Sequence, residues 1–485
     1  MKVLTLILIF LMFNLARGLA QTSDTLKLSL TDIVQMAKEK SISAKQASTT
    51  RETRYWEWRT FKSNYQPQLR LSGILPGYSK TFAEVLQPNG TIDFQPVRNN
   101  NSSINMSFSQ SITMTGGSVF GTTELQRFDD FDRNSVLYRG TPYALGYSQP
   151  LFQYNKLKWD QRVEPMKFRE SKQAYIESME KIAVNATTFF FDLLLAQVNL
   201  QIAETNFSNT ENILKVAGLK YELGKITRNE ILQLQLEKLK SQKAVGVARR
   251  DMEIATLNLR SFTGLNAAAI VLEPPRQTSR VQIVATRALS EAYANRADAI
   301  AFVRRIAEAR RDVAKAKGDN GINATLTARL GFSKSSKQLA GVLSSPQDQQ
   351  LLQIELDIPI LDWGRSQSRS KTAKANLQFA EYSVEQDKQN FSQEILTQVT
   401  LFDMMKDQVT LTSRADSIAS EKFLIAKERY LLGNLGITDL SIAFQEKDQA
   451  KRDYISALRD FWGSYYDLRY LSLYDFDKDQ KITYQ

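Results

Sequence analysis

The sequence predicts an α+β membrane protein: a trimeric β-barrel, to which each protomer gives about four strands, continued by a barrel of long α-helices and built from two internal structural repeats. Three observations predict this fold class. The two halves of the chain share motifs at one fixed spacing, strand-like segments alternate apolar and polar residues, and each such segment precedes a helical stretch of sixty-odd residues. A membrane strand between lipid and water alternates in this way.

The internal repeat is visible in the spacing of matched motifs. Pro150 and Pro359, which begin the junctions Pro-Leu-Phe and Pro-Ile-Leu, lie 209 residues apart (359 − 150). Tyr221 and Tyr430, in two Tyr-x-x-Gly segments, have the same offset. A constant offset over this length indicates one structural plan used twice.

The N-terminus has the pattern of a secretory signal peptide. Lys2 precedes an apolar run over residues 3–13, and Gly18 and Ala20 supply small residues before a cleavage site. We therefore expect residues 1–20 to be removed before Gln21. No later stretch offers eighteen continuous apolar residues, so a membrane role requires a β-barrel.

Composition excludes several classes of function. The chain of 485 residues has no Cys and no His, which rules out a disulfide, a Cys nucleophile and a His-based triad. The formal charge of +11 is spread out, with no basic cluster that would predict nucleic-acid binding. No paired carboxylates or Gly-rich phosphate loop occur at a useful spacing. We expect no enzyme, no cofactor and no metal site.

The first repeat is predicted over residues 21–264. It begins with a helix, continues with strands in residues 68–152, and ends with a long helical hairpin over residues 155–262. Within the strand region, Ile104–Met114 alternates apolar and polar residues, and residues 119–125 do so more weakly. Residues 76–101 and 127–141 have the composition of polar loops.

The second repeat is predicted over residues 285–471, after a linker at 265–284. It has a helix, strands in residues 322–361 and a helical hairpin over residues 362–471, and a tail follows at 472–485. The strand-to-helix junctions of the two repeats contain the following candidate residues: Pro150, Phe152, Pro359, Leu361, Trp363 and Gly364.

The two strand regions differ in length. The first repeat has 110 residues between Lys40 and Pro150 (150 − 40), whereas the second has 63 between Arg296 and Pro359 (359 − 296). The excess is either an additional hairpin in the barrel, over residues 103–127, or a long external loop. The sequence leaves both open.

Roughly four strands from one chain cannot close a barrel that is stable in lipid, because about eight strands are the practical minimum. An open sheet edge in lipid would leave N–H and C=O groups unsatisfied. The barrel is therefore expected to be shared between subunits, and a homotrimer with four strands each would give twelve.

These junctions, the Tyr-x-x-Gly turns and the tandem halves resemble the TolC-like outer membrane efflux family over nearly the whole mature chain. The resemblance implies a trimer with an outer-membrane barrel and a periplasmic helical tunnel. It also implies two partners, a periplasmic adaptor (membrane fusion) protein and an inner-membrane transporter of the RND or ABC type. The implied function is passive export from the periplasm or the pump to the exterior, without chemistry.

The resemblance also carries site residues at the ends of the helical hairpins. The tips that face the adaptor correspond to Tyr221, Leu223, Gly224, Lys225, Tyr430, Leu432, Gly433 and Asn434. Six residues beyond each Gly, Glu230 and Asp439 correspond to carboxylates near the periplasmic entrance. Three copies of Asp439 would form a negative ring that favours cations. Alternatively, each carboxylate stabilises the N-terminus of its own helix.

Two departures concern the entrance. A second entrance carboxylate of the family is replaced by Ile442, and an arginine that links the closed tips is replaced by Leu435. The polar latch is therefore expected to differ here. Two other functions stay open: the outer-membrane component of a type I protein secretion system, and a periplasmic coiled-coil scaffold, which would need sustained heptads and no lipid-facing strands.

Overall fold

The computed structural model describes residues 25–265, 269–275 and 282–484. The predicted signal peptide and parts of the predicted linker lie outside this range. The chain forms two compact units. The helical unit contains the residues up to 51, 171–299 and 389 onward, and the sheet unit contains residues 52–170 and 300–388. Each unit takes segments from both halves of the sequence, so the compact units do not follow the repeats.

Two helices of 67 residues each dominate the chain, and each is followed by a helix of 36 residues. At about 1.5 Å per residue, the longer helices extend for roughly 100 Å. The predicted long hairpins are therefore present. The helices in chain order are α1 (Leu30–Lys40), α2 (Ile42–Ser63), α3 (Lys156–Glu222), α4 (Arg228–Thr263), α5 (Ala285–Asn295), α6 (Ala297–Asp319), α7 (Arg365–Leu431) and α8 (Ile437–Ser472).

The first helix of each repeat is interrupted, which the sequence did not predict. Ser41 is extended (ψ 151°) between α1 and α2, and its hydroxyl accepts a hydrogen bond from the amide of Ala44. Arg296 is extended (ψ 149°) between α5 and α6, and the amide of the next residue, Ala297, donates to the Glu177 carboxylate (2.8 Å). A side-chain bond at each break satisfies polar groups that a helical turn would otherwise engage.

The sheet unit contains one antiparallel sheet of seven strands, in the order β2-β4-β5-β6-β8-β9, with β3 also paired to β4. Two short strand pairs lie outside it: β1 with β7, parallel, and β10 with β11, antiparallel. The strands are β1 (Thr25–Leu28), β2 (Gln68–Ile74), β3 (Tyr78–Leu86), β4 (Ile92–Ser111), β5 (Ser118–Asp130), β6 (Ser135–Leu151), β7 (Ala269–Leu272), β8 (Asn323–Ser336), β9 (Gln347–Asp357), β10 (Tyr474–Asp475) and β11 (Gln480–Lys481).

The expectation of about four strands per protomer is too low, because residues predicted as loops are strands. Residues 78–86 and 92–100 pair with each other, and residues 127–130 pair with 135–138. Their side chains show little apolar–polar alternation because both faces of these segments are polar or mixed. These segments are strands because their backbones hydrogen-bond to neighbouring strands. Such pairing produces no apolar–polar alternation that could be seen in a single sequence.

The two faces of the sheet have opposite character. Residues directly opposite each other on paired strands share a face. On one face Ile104 pairs with Leu125, and Leu326 pairs with Ile354. On the other face the neighbouring positions are polar, such as Glu124 opposite Asn105 and Gln353 opposite Thr327. In the single chain, Ile104, Leu125 and Ile354 are exposed and Leu326 is half-buried.

A buried ion network holds four segments of the helical unit together. Glu180 of α3 is fully buried, and its carboxylate accepts hydrogen bonds from Lys38 (2.7 Å), Arg469 (3.1 Å) and the hydroxyl of Tyr484. Burial alone would raise the pKa of Glu180, but the neighbouring Arg469 and Lys38 lower it to about 2. The carboxylate therefore stays charged, and α1, α3, α8 and the tail meet at it.

Among the described residues, α3 is also the helix whose length and composition would suit a membrane span. Of its most apolar 18-residue window, 56% is buried inside the protein. Side chains such as Phe190 and Leu193 are fully buried there. This burial is typical of a core helix, so composition alone does not make α3 a transmembrane segment.

Candidate functional site

Two helical turns in the helical unit contain the predicted tip residues. In the first, α3 ends near Glu222, and Gly224 has a positive φ of 68°. The amide of Gly224 donates to the carbonyl of Tyr221 (2.9 Å), and the amide of Lys225 donates to that of Lys220 (2.9 Å). This pair of bonds is the Schellman arrangement, which ends a helix and which glycine permits at positive φ.

The second turn repeats this geometry. Gly433 has a φ of 84°, and its amide donates to the carbonyl of Tyr430 (3.0 Å). The amide of Asn434 donates to the carbonyl of Arg429 (2.9 Å). The backbones of the two turns are therefore equivalent, as the repeat predicts.

Beyond the first turn, Glu230 forms a capping box with Thr227. The amide of Glu230 donates to the Thr227 hydroxyl oxygen (3.3 Å), and the amide of Thr227 donates to the Glu230 carboxylate (2.7 Å). The hydrogen bond from the Thr227 amide lowers the pKa of the Glu230 carboxyl most, and the hydrogen bond from the Thr227 hydroxyl lowers it further. The carboxylate is thus folded back onto its own helix, as the capping alternative predicts.

Asp439 occupies the matching position after the second turn, but its environment differs. The residue that matches Thr227 is Gly436, which has no side chain to cap α8. Within the described part of the chain, no hydrogen bond or ion pair involves the Asp439 carboxylate, and the residue is exposed. The repeat predicts equivalent carboxylates, yet one is bound to its own backbone and the other is available to solvent.

The two tyrosines also differ. Tyr430 is 7% exposed, within a cluster of side chains from α3, α4, α7 and α8, whereas Tyr221 is 41% exposed. The ammonium of Lys220 lies 4.9 Å from the centre of the Tyr430 ring and donates to its carbonyl. Burial, and then the charge of Glu230, raises the pKa of the Tyr430 hydroxyl. Leu435, at the position of the family's arginine, packs against the same cluster.

Both turns present an exposed leucine at the same position of the repeat. Leu223 is 70% exposed and Leu432 is 77% exposed. Exposed apolar side chains at equivalent positions of two tight turns are suited to a protein contact. Lys225 and Asn434 follow them and are exposed as well.

The junction residues lie in the sheet unit, away from these turns in sequence. Pro150 is still within β6, opposite Thr325, and Pro359 and Gly364 follow the end of β9. The side chains of Phe152, Leu361 and Trp363 are strongly exposed, Trp363 by 89%. Apolar and aromatic residues at the ends of membrane strands are typical of the lipid interface.

Two features of the site were missed in the sequence. The capping residue Thr227 stands three residues before Glu230, a recognisable capping-box signal. The other is a stripe of exposed apolar residues along α7, each seven residues after the last: Met404, Leu411, Ile418 and Ile425. Leu432, in the turn directly after α7, continues the spacing. A heptad spacing of this kind predicts packing against another helix.

Comparison with known proteins identifies the family. Residues 288–470, most of the second repeat, match the family model described as outer membrane efflux protein. This second repeat belongs to the outer membrane efflux protein family. The protein is an efflux channel of the outer membrane with a periplasmic helical extension, a transport duct without enzymatic activity. Channels of this family form trimers in efflux systems.

Solved structures share the fold over 91–94% of this chain. The CmeC outer membrane channel of Campylobacter jejuni is 16% identical, with a TM-score of 0.66, over 94% of this chain and 87% of that one. VceC of Vibrio cholerae is also 16% identical, with a TM-score of 0.64 over 92% and 95%. The channel protein CusC is 15% identical, with a TM-score of 0.65 over 91% of each chain. No curated protein matches. The predicted family, fold class and efflux function are confirmed, and only the predicted number of strands is too low.

Proposed function

We propose that this outer membrane efflux protein works as a homotrimer in a tripartite system, joined through a periplasmic adaptor protein to an inner-membrane transporter of the RND or ABC type. It acts as a passive duct from the periplasm to the exterior. The observation that carries the proposal is the sheet with one apolar face and two unpaired edges.

The sheet edges argue for copies of the same chain as partners. Within the described residues, β2 pairs only with β4, and β9 pairs only with β8. Both strands continue the apolar face, with Leu69 and Leu71 on β2 and Leu352 and Leu356 on β9. Lipid cannot satisfy the backbone groups of these edges. Since successive strands run antiparallel and their number along the path is even, β2 of one copy can pair antiparallel with β9 of the next.

The helical unit has unpaired flanks of its own. The exposed stripe on α7 has a counterpart on α4, where Leu232, Leu236, Leu239, Ile254 and Leu257 are exposed. Among the residues that the structure describes, nothing covers either stripe. Contact between α7 of one copy and α4 of the next would bury both, and repetition around a threefold axis closes a tube without a free flank.

The helical turns suit the two remaining roles. Leu223 and Leu432 supply apolar contacts for an adaptor, since burying an exposed Leu stabilises an interface by about 1.5–3 kcal/mol. Asp439 supplies the entrance charge, because nothing on its own helix engages it. Three copies around the axis would attract cations and repel one another. We assign Glu230 to capping, with no direct part in the ring.

The proposal is tested on protein extracted from outer membranes. Native mass measurement is expected to give three copies of the mature chain, and the purified trimer is expected to conduct ions in planar bilayers. A monomer that stays in the soluble fraction and carries no current would contradict the proposal. Co-purification with an adaptor tests the tripartite arrangement separately. If no adaptor co-purifies, only that part of the proposal is contradicted and the trimeric duct is unaffected.

A further inference from the structure

The strand region of the first repeat supplies more of the barrel wall than the resemblance implies. The sheet path β2-β4-β5-β6-β8-β9 contains six strands, four of them from the first repeat. Strands β2 and β3 pair with different parts of the same strand, β4. Strand β2 pairs with residues 103–109 and β3 with residues 92–100. The two segments therefore form one interrupted strand position, and the path has six positions.

The extra hairpin, formed by β4 and β5, is an integral part of the sheet and not an external loop. Strand β5 pairs with β4 along 13 residue positions and with β6 along 12. An external loop would need no continuous ladder on both of its sides. The sequence left open whether residues 103–127 join the barrel. In the structure these residues lie inside the sheet, between β2 on one side and β6 on the other.

The turn between β4 and β5 is held at the strand-to-helix junction. Asn155, which caps the first turn of α3 through the amide of Lys158, also donates to the carbonyls of Thr113 (3.0 Å) and Met114 (3.2 Å). Gln149, close to the end of β6, donates to the carbonyl of Thr115 (2.9 Å). The turn therefore lies at the same end of the sheet as the helix that follows β6.

The apolar face continues across the extra strands. Leu125 of β5 lies opposite Ile104 of β4, and Leu145 of β6 lies opposite Gly121 of β5. Leu145 in turn lies opposite Leu330 of β8. The neighbouring positions Thr122 and Glu124 point to the polar face. A hairpin outside the membrane would need no such match with the strands on either side.

We propose that each protomer contributes six strands to the outer-membrane wall, so that three protomers close a barrel of 18 strands (3 × 6), with β5 in contact with lipid on one face and with the duct on the other. Barrel diameter grows roughly in proportion to strand number, so this exit is about one and a half times as wide as a twelve-stranded one. The inference rests on the proposed trimer and deepens it.

Single cysteines test the position of β5, and the absence of native Cys leaves no background. Leu125→Cys probes its apolar face and Glu124→Cys its polar face. On β9, which belongs to the wall in either arrangement, Ile354→Cys and Gln353→Cys are matched controls. Each variant, as purified trimer in phospholipid vesicles, is reacted with a water-soluble maleimide, and a fluorophore on each cysteine is tested for quenching by spin-labelled lipid.

The proposal predicts that Leu125→Cys behaves like Ile354→Cys: labelling is at least about tenfold slower than at the polar neighbour, because lipid excludes the reagent, and quenching by lipid is strong. Equal labelling at residues 124 and 125, with normal alternation on β9, would overturn the six-strand wall and leave the trimeric channel intact. Loss of alternation on β9 as well would overturn both. A strand count from electron microscopy of the trimer gives an independent check, and a count of 12 would refute the inference.

Discussion

The two helical turns have the same backbone and different carboxylates. Both end a long helix with a glycine at positive φ and the same pair of amide bonds. After the first, Thr227 and Glu230 bond to each other, whereas after the second, Gly436 leaves Asp439 unbonded within the described residues. The comparison teaches that an internal repeat preserves the position of a charged residue more strictly than its role. One missing hydroxyl frees a carboxylate.

The largest expected effect concerns what the turns share. Leu223→Ser and Leu432→Ser each remove an exposed apolar side chain, and each is expected to weaken adaptor binding about 10- to 100-fold, from the loss of about 1.5–3 kcal/mol of Leu burial. Titration of the purified trimer with the adaptor measures the change. Leu219→Ser, on the last turns of α3 and 63% exposed, is the matched control outside the repeated position. Unchanged affinity in both turn variants would remove the docking role.

Removal of the free carboxylate is expected to have the next largest effect. Three charges close to a narrow axis give about 1–2 kcal/mol of attraction for a cation after screening, so Asp439→Asn should reduce cation preference about tenfold and weaken block by divalent ions. Reversal potentials of the trimer in planar bilayers measure this. Glu230→Gln should change selectivity little, because that carboxylate is folded onto Thr227. Equal effects of the two variants would refute the distinction between the turns.

The capping difference predicts unequal losses of local stability. Thr227→Ala removes the hydroxyl that caps α4 and should cost about 1 kcal/mol, which corresponds to about fivefold faster amide exchange in the first turn of the helix. Gly436→Ala at the matching position removes no side-chain bond and should change exchange in α8 less. Hydrogen exchange with mass spectrometry compares the two sites in one experiment. Similar acceleration at both would mean that the capping box contributes nothing.

Conversion of the second turn into the first is the subtlest test. A Cβ at Gly436 would lie 3.7 Å from the Asp439 carboxylate, an ordinary contact, so Gly436→Thr has room for its side chain. The new hydroxyl should draw the carboxylate back onto α8, and divalent block should weaken about two- to threefold through the loss of one hydrogen-bonding site per copy. Gly436→Ala controls for the added carbon. Unchanged block would show that Asp439 acts by charge alone.

Much of the fold could be read from the sequence. The offset between Pro150 and Pro359 indicated the repeat, and Gly224 and Gly433 indicated the turns. The scarcity of helix-breaking residues indicated the long helices. The extra strands could not be recognised fully, because residues 78–100 have mixed faces and obtain their structure from ladder bonds to neighbours. The helix breaks at Ser41 and Arg296 depend on distant or local side-chain bonds that no periodicity records.

The candidate site was predicted less completely. The structure places the predicted tip residues at two equivalent turns, and their roles stay predictions. Among the described residues, Glu230 is hydrogen-bonded and Asp439 is not, because the preceding N-cap position holds Thr227 in the first repeat and Gly436 in the second. A capping-box search would have found the first. The absence of a second cap has no signal of its own, because glycine is also a common residue before a helix.

The central claim is that the sheet edges of neighbouring copies pair to close the wall. Cysteines placed together on the polar faces of β2 and β9, as Ser72→Cys with Gln353→Cys or Arg70→Cys with Glu355→Cys, test it in isolated outer membranes. At least one pair should give disulfide-linked dimers and trimers, and no larger species, on non-reducing gels, whereas each single variant should give no trimer. Only monomers in every pair, with the protein folded and present in the membrane, would contradict the account.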